Sequence, residues 1–151
     1  MHLSILITLL TGLLTPAPIV QWHFVVQPAG TGAVQVELEA RTVEGWHIYA
    51  TKLENDLGPI PTAIRFTPSE AYSLLGPLVE PDPVEVYDPN FEMNVRYHEG
   101  SPRFVQRIEP TTKEPFVVKG EVEFMVCNDK TCLPPEVVTF TIDVPAVTGK
   151  P

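Results

Sequence analysis

Apolar and polar residues alternate along most of the chain. The clearest stretch is residues 34–41, where Val, Val, Leu and Ala alternate with Gln, Glu, Glu and Arg. Because successive side chains of a strand point to opposite faces, this stretch predicts a half-buried antiparallel strand. The same pattern predicts strands within residues 22–26, 63–66, 91–97, 104–108, 117–127 and 137–144.

Turn-forming residues separate these stretches, at residues 28–32, 55–59, 99–102 and 109–110. The chain also holds 17 Pro among 151 residues, which argues against a helical protein because Pro interrupts helices. Many short strands with frequent turns predict an all-β fold, an immunoglobulin-like antiparallel β-sandwich. We expect one such domain over residues 19–146, followed by a short tail at 147–151.

The first 17 residues differ from the rest, since they carry no Lys, Arg, Asp or Glu. Their apolar run covers residues 3–14, which is shorter than the roughly 20 residues that span a bilayer. A Pro on either side of Ala17 ends the run. Residues 1–17 are therefore predicted to be a signal peptide that exports the chain to an oxidising compartment. Retention of the segment as an anchor and a buried first strand are the alternatives.

The charge balance narrows the choice of partners. Ten Lys and Arg stand against 19 Asp and Glu, a formal net charge of −9, so nucleic acid is not an expected partner. The sequence has no Gly-rich phosphate loop, no His-Glu-x-x-His and no Gly-x-Ser-x-Gly, and therefore gives no support to nucleotide, zincin or α/β-hydrolase chemistry. No cofactor is expected.

An acidic segment at residues 80–92 breaks the alternation. It holds five carboxylates, three Pro and no Lys or Arg, so it cannot be a central strand. A solvated surface loop is the simpler interpretation, and its aromatic residues also allow a lid.

The two cysteines, Cys127 and Cys132, are the main candidates for chemistry. The first ends a strand pattern and the second precedes Leu133 and a pair of Pro, so a disulfide is reasonable if the Cα atoms approach within about 4.4 to 6.8 Å. Closing so short a loop stabilises the fold by only about 2 kcal/mol. A structural staple and a redox-active pair both remain open on spacing alone. A zinc site would need two distant histidines as well, and none is expected; His47 is the one histidine in an aromatic neighbourhood.

Residues 124–136, Phe-Met-Val-Cys-Asn-Asp-Lys-Thr-Cys-Leu-Pro-Pro-Glu, resemble the active-site segment of the N-terminal periplasmic domain of DsbD, a bacterial transmembrane thiol-disulfide interchange protein. Gly-Trp-His-Ile-Tyr at 45–49 resembles the aromatic strand of that family, Gly-Pro-Ile-Pro-Thr at 58–62 its following turn, and Tyr-Asp-Pro-Asn-Phe at 87–91 its cap loop. The resemblance covers roughly residues 21–144. One departure is the cysteine spacing, with four intervening residues in place of five.

The resemblance implies an immunoglobulin-like fold and a role in electron transfer to thioredoxin-fold oxidoreductases. Cys132 would form mixed disulfides with these partners, and Cys127 would resolve them. Phe91 would cover the pair as part of the cap loop that also contains Asp88. Tyr49 and Trp46 would line the site.

Two functions follow from these observations. The first is a thiol-disulfide oxidoreductase of the periplasm or cell envelope, a relay that depends on a separate membrane or thioredoxin-like electron donor because the chain ends at Pro151 without a further apolar run. The second is a non-catalytic binding or structural β-sandwich in which the Cys127–Cys132 bond is a local staple. The redox potential of the pair would distinguish them.

Overall fold

The computed structural model describes residues 17–30, 32–55, 57–88 and 91–146. Its eleven strands are β1 (Val20–Pro28), β2 (Val34–Thr42), β3 (His47–Tyr49), β4 (Ala63–Phe66), β5 (Tyr72–Val79), β6 (Val84–Asp88), β7 (Met93–Glu99), β8 (Arg103–Pro110), β9 (Phe116–Phe124), β10 (Val126–Cys127) and β11 (Glu136–Val144). No helix long and apolar enough to cross a membrane occurs in these residues.

The strands form three antiparallel sheets with the orders β1-β2-β8-β5, β11-β9-β4 and β10-β3-β7-β6. The architecture is an immunoglobulin-like antiparallel β-sandwich, which confirms the predicted fold class. We call the third of these sheets, β10-β3-β7-β6, the site sheet. It contains Cys127, on β10, and the aromatic segment of β3, which both belong to the site predicted from the sequence.

The main core follows from the alternation in the sequence. In β2 the apolar residues at 34, 36, 38 and 40 are buried, while the polar residues between them are half-buried. Burial of each large aliphatic side chain stabilises the fold by about 1.5 to 3 kcal/mol. The same core includes Ile48 and Val126 from the inner face of the site sheet, so packing fixes the position of that sheet on the sandwich.

Three features of the strands differ from the predictions. The predicted strand at 117–127 is divided at Met125, because β9 pairs with β11 whereas β10 pairs with β3. The predicted strand at 91–97 begins only at Met93, because residues 91 and 92 form a turn in which Glu92 has a φ of 53°. Residues 72–79 form β5, a strand that alternation does not predict because two adjacent Leu and a Gly-Pro pair interrupt the pattern. Its pairing with β8 shifts register between Leu75 and Val79.

The acidic segment contains a strand as well. Residues 84–88 form β6 at the edge of the site sheet, and β7 is its one partner among the described strands. An edge position agrees with the exclusion of a central strand, since an edge strand tolerates neighbouring Pro. The predicted signal peptide, apart from Ala17, and the predicted tail at 147–151 lie outside the described residues.

Candidate functional site

The outer face of the site sheet carries a second, smaller apolar cluster. Because side chains alternate along β3 and β10, Ile48 and Val126 point to the main core, whereas Tyr49 and Cys127 point away from it. We define the cysteine cluster as four buried residues and four half-buried ones packed against them: Tyr49, Met93, Val95 and Cys127, with Leu53, Phe91, Tyr97 and Met125. One cysteine is therefore an integral part of an apolar surface.

Cys127 and Cys132 form a disulfide bond and are paired as an isolated antiparallel bridge. Two backbone hydrogen bonds of 2.9 Å flank the bridge, from the Leu133 N–H to the Val126 carbonyl and from the Asn128 N–H to the Thr131 carbonyl. The cysteines therefore occupy a non-hydrogen-bonded pair, the pair type in which Cα atoms approach most closely. Their Cα atoms are 4.0 Å apart, which is closer than the range of about 4.4 to 6.8 Å expected from the sequence.

The turn between the cysteines, residues 127–132, is held by its own hydrogen bonds, and we call it the cysteine turn. The Asn128 Oδ1 accepts hydrogen bonds of 2.9 Å from the N–H groups of Lys130 and Thr131. An Asn side chain that bonds the backbone two and three residues on is typical of a tight turn. These bonds do not involve sulfur, so they can hold the two thiols near each other after the disulfide is reduced.

The two cysteines differ in their access to solvent. Cys127 is only 1% exposed, because it is covered by the cysteine cluster, whereas Cys132 is exposed. Thiol-disulfide exchange depends on access to the attacked or attacking sulfur. A second protein can therefore reach Cys132 but not Cys127.

Tyr49 and Phe91 cover the buried side of the pair. Tyr49 is fully buried, and Phe91, in the turn between β6 and β7, contacts it edge-on with 6.4 Å between ring centroids. Among the described residues, the Tyr49 hydroxyl has no hydrogen-bond partner. Burial, with a smaller contribution from Asp88, raises the pKa of Tyr49 far above its ordinary value, so this phenol stays protonated at physiological pH.

His47 lies opposite Cys127 in the register of β3 and β10. Its ring stacks on Tyr97 with 4.3 Å between centroids and contacts Tyr49 edge-on at 5.3 Å. Burial lowers the pKa of His47, although Glu99, Asp129 and Asp88 act in the opposite direction. The imidazole is therefore neutral at pH 7.

An open cleft of about 290 Å³ lies beside the disulfide. It separates the cysteine turn from the hairpin of β6 and β7, which we call the cap hairpin. Its walls combine apolar, aromatic and acidic groups: His47, Val86, Tyr87, Asp88, Val95, Tyr97, Asn128 and Asp129. The cleft therefore leaves part of the outer face of the site sheet open.

A half-buried polar contact anchors the segment that leads into the cap hairpin. The Glu80 carboxylate accepts hydrogen bonds from the Thr51 N–H at 2.9 Å and from the Thr51 hydroxyl at 2.7 Å. The His98 Nε2 lies 3.2 Å from the same carboxylate. Burial raises the pKa of Glu80, but these hydrogen bonds outweigh burial, so the pKa lies below its ordinary value.

Five of the six residues expected at the site lie close together. Each belongs to the cysteine cluster, is bonded to it or lines the neighbouring cleft: Cys127, Cys132, Tyr49, Phe91 and Asp88. Trp46 is placed elsewhere, because it packs against the main core. Residues 89 and 90 of the cap loop lie outside the described part of the chain.

Three residues that border the disulfide have no role predicted from the sequence: His47, Tyr97 and Asn128. His47 has aromatic neighbours in the sequence, and its position two residues before Tyr49 places both on one face of a strand. The contribution of β7 depends on pairing between distant segments, for which the local sequence gives no signal. In the described ranges, no group of three His, Cys, Asp or Glu side chains has an arrangement suited to a metal ion.

Together, the fold and the site define a β-sandwich with a solvent-accessible cross-strand disulfide beside an aromatic cover. The model of the family described as thiol:disulfide interchange protein DsbD, N-terminal, matches residues 14–144. The chain belongs to this family. No curated protein matches the chain.

Solved structures show the same fold at low sequence identity. The N-terminal domain of Neisseria meningitidis DsbD in the reduced form has a TM-score of 0.55 and 17% identity, over 89% of this chain and 92% of that one. A complex of the DsbD N-terminal and PilB N-terminal domains from the same organism has a TM-score of 0.57 and 17% identity, over 85% of this chain and 86% of the matched one. The N-terminal periplasmic domain of ScsB from Proteus mirabilis has a TM-score of 0.58 and 15% identity, over 87% of this chain and 50% of that one.

Proposed function

We propose that the chain is a thiol-disulfide interchange relay, which passes reducing equivalents between thioredoxin-fold partners through Cys127 and Cys132. The observation that carries the proposal is the unequal exposure of the pair, since Cys127 is buried in the cysteine cluster and Cys132 is exposed. A pair arranged in this way has one sulfur for the partner and one for resolution. Membership of the DsbD N-terminal family supports the same reaction.

The reaction starts from the reduced pair. The Cys132 thiolate attacks the disulfide of the partner, which forms a Cys132–partner bond and releases one partner thiolate. The Cys127 thiolate then attacks the Cys132 sulfur, which forms the Cys127–Cys132 bond and releases the second partner thiolate. The pair loses two electrons and two protons, and the partner gains both. The reverse sequence, with a separate thioredoxin-like or membrane-bound donor, restores the dithiol.

The cap hairpin provides the surface for these partners. Val84, Val86 and Tyr87 are exposed on β6, next to the cleft that leads to the site. Exposed apolar side chains around a cleft are suited to a protein contact. One similar structure is a complex of a DsbD N-terminal domain with another protein domain, which supports a protein partner here.

In this proposal, Phe91 and Tyr49 cover the pair until a partner displaces the cap hairpin. Asp88 is on the cleft wall that the partner contacts. Trp46 supports β3 from the core side, through its packing against the main core. The predicted signal peptide places the domain in the periplasm or cell envelope, where such exchange operates.

The first experiment is a redox titration of the domain in glutathione buffers at pH 7, with thiol trapping and mass measurement. Structural disulfides typically have potentials below about −300 mV, and labile or catalytic ones have higher potentials. We expect a value clearly above that limit. A value below it would replace the relay by the second candidate, a binding or structural module with a local staple.

A further inference from the structure

One polar atom near the disulfide has no function in the proposed exchange reaction. His47 is 9% exposed, and its buried Nε2 has no hydrogen-bond partner in the part of the chain that the structure describes. A buried polar atom without a partner is costly, because it has lost its hydrogen bond to water. His47, which pairs with Cys127 in the strand register, therefore carries an unpaired ring nitrogen and is a candidate for a role in catalysis.

The register places His47 opposite the buried Cys127. His47 and Cys127 are partners in the antiparallel pair of β3 and β10, and directly opposite Cβ atoms lie about 4.5 to 5.5 Å apart. Both side chains are on the outer face of the site sheet. The Tyr97 ring packs on one side of the imidazole, and the Tyr49 ring contacts it edge-on. This packing restricts the orientations that the imidazole can adopt.

Other titratable groups face the imidazole from each neighbouring element. Glu99 and Tyr97 come from β7, Asp88 from the cap hairpin and Asp129 from the cysteine turn. The carboxylates favour the protonated ring, but burial is the larger influence, so the pKa of His47 is lowered. A neutral imidazole has one ring nitrogen free to accept a proton.

We infer that His47 accepts the proton of the Cys127 thiol when Cys127 resolves the mixed disulfide at Cys132. This inference rests on the proposed function and adds a residue to it. The Cys127 S–H bond breaks as its proton moves to the imidazole, and the Cys127 sulfur forms a bond to the Cys132 sulfur. The bond between Cys132 and the partner breaks, and the partner sulfur leaves with the electron pair. The imidazolium then returns its proton to that leaving thiolate or to solvent.

The alternative acceptors are poorly suited to this step. Tyr49 is a buried phenol that stays protonated, and it has no lowered pKa with which to act as a base. Solvent does not reach Cys127, which is 1% exposed. Cys132, by contrast, is exposed and can lose its proton to water. The need for a protein base is therefore specific to the second chemical step.

A stopped-flow reaction with 5,5′-dithiobis(2-nitrobenzoate) separates the two steps. Attack by Cys132 releases one coloured thiolate at a rate proportional to reagent concentration, and resolution by Cys127 releases a second at a rate independent of it. For the unchanged protein we expect the second rate to be level from neutral pH down to the pKa of His47 and to fall below it. For His47→Gln we expect the second rate to be at least about tenfold slower at pH 7 and to rise with pH throughout.

The control is His23→Gln, which removes an exposed histidine from β1 and should leave both rates unchanged. His47→Phe preserves an aromatic ring between Tyr49 and Tyr97, and it should give the same pH profile as His47→Gln even where the latter folds poorly. An unchanged pH profile in both variants would overturn the inference, whether or not the second rate is lower. Absence of a second release from the unchanged protein would instead overturn the relay.

Discussion

The ring of Phe91 stands edge-on to the ring of Tyr49, with 6.4 Å between centroids and 89° between ring planes. Phe91 comes from the turn of the cap hairpin, and Tyr49 is buried in the cysteine cluster that contains Cys127. An aromatic pair of this geometry contributes about 0.5 to 1.5 kcal/mol beyond the burial of its area. Such a contact can keep a cover closed in the free protein and still open when a partner binds.

Replacement of Phe91 by Ala tests the cover. We expect Phe91→Ala to raise the rate at which hydrogen peroxide oxidises the reduced pair by several-fold, because loss of the ring increases access to the thiols. The measurement is the loss of free thiol over time. Val84→Ala is the matched control, since Val84 is on the same hairpin but is 49% exposed and belongs neither to the cysteine cluster nor to the wall of the cleft. Equal rates for the unchanged protein and Phe91→Ala would show that the hairpin is not a cover.

The unequal burial of the cysteines predicts unequal reactivity. In Cys127→Ala the remaining Cys132 is on the exposed side, so we expect rapid reaction with iodoacetamide. In Cys132→Ala the remaining Cys127 should react at least about tenfold more slowly. Both variants lack the disulfide, so each is the control for the other. Similar alkylation rates would contradict the assignment of Cys132 as the sulfur that partners reach.

Local alternation is sufficient to predict β2 and the exact span of β4. The apolar residues of β2 are buried, and the half-buried Ile64 and Phe66 of β4 pack against the main core. Alternation could not predict where β9 ends and β10 begins, because Met125 is itself apolar and the change of sheet depends on a distant partner, β3. The pairing that brings Tyr97 beside His47 is equally nonlocal.

The position of Trp46 shows that alternation predicts which aromatic residues face the site. Residues 46 and 48 belong to one face and residues 47 and 49 to the other, and both Trp46 and Ile48 contact the main core. The resemblance to the DsbD family drew attention to the whole aromatic segment. Alternation along the strand then distinguishes His47 and Tyr49, which border the disulfide, from Trp46 and Ile48, which pack against the main core.

The Asn128 side chain gives a test of the cysteine turn. We expect Asn128→Ala to raise the reduction potential of the pair, because loss of two hydrogen bonds to the turn lowers the effective concentration of one thiol at the other. Equilibration in glutathione buffers measures this potential. Thr131→Ala changes an exposed side chain of the same turn and should leave the potential nearly unchanged. A potential that does not rise in Asn128→Ala would show that the disulfide itself, not the turn, orders this segment.

The anchor at Glu80 predicts a pH dependence of stability. Because its pKa is lower in the folded protein than in the unfolded chain, the stabilisation is present above the unfolded pKa of about 4.3 and is lost as the pH falls through the folded pKa. We expect Glu80→Gln to lower the free energy of unfolding by about 1 to 2 kcal/mol at pH 7. The difference from the unchanged protein should shrink in acid.

Urea unfolding at several pH values between 3 and 8 measures this effect. The control is Glu85→Gln, on the exposed side of β6, which should change the free energy of unfolding by no more than about 0.5 kcal/mol. The anchor also joins the segment before the cap hairpin to the residue that follows Tyr49 by two positions, Thr51. Glu80→Gln should therefore increase peroxide oxidation of the reduced pair as well, though less than Phe91→Ala. A destabilisation that is the same at every pH would show that the Glu80 carboxylate contributes through packing and not through its charge.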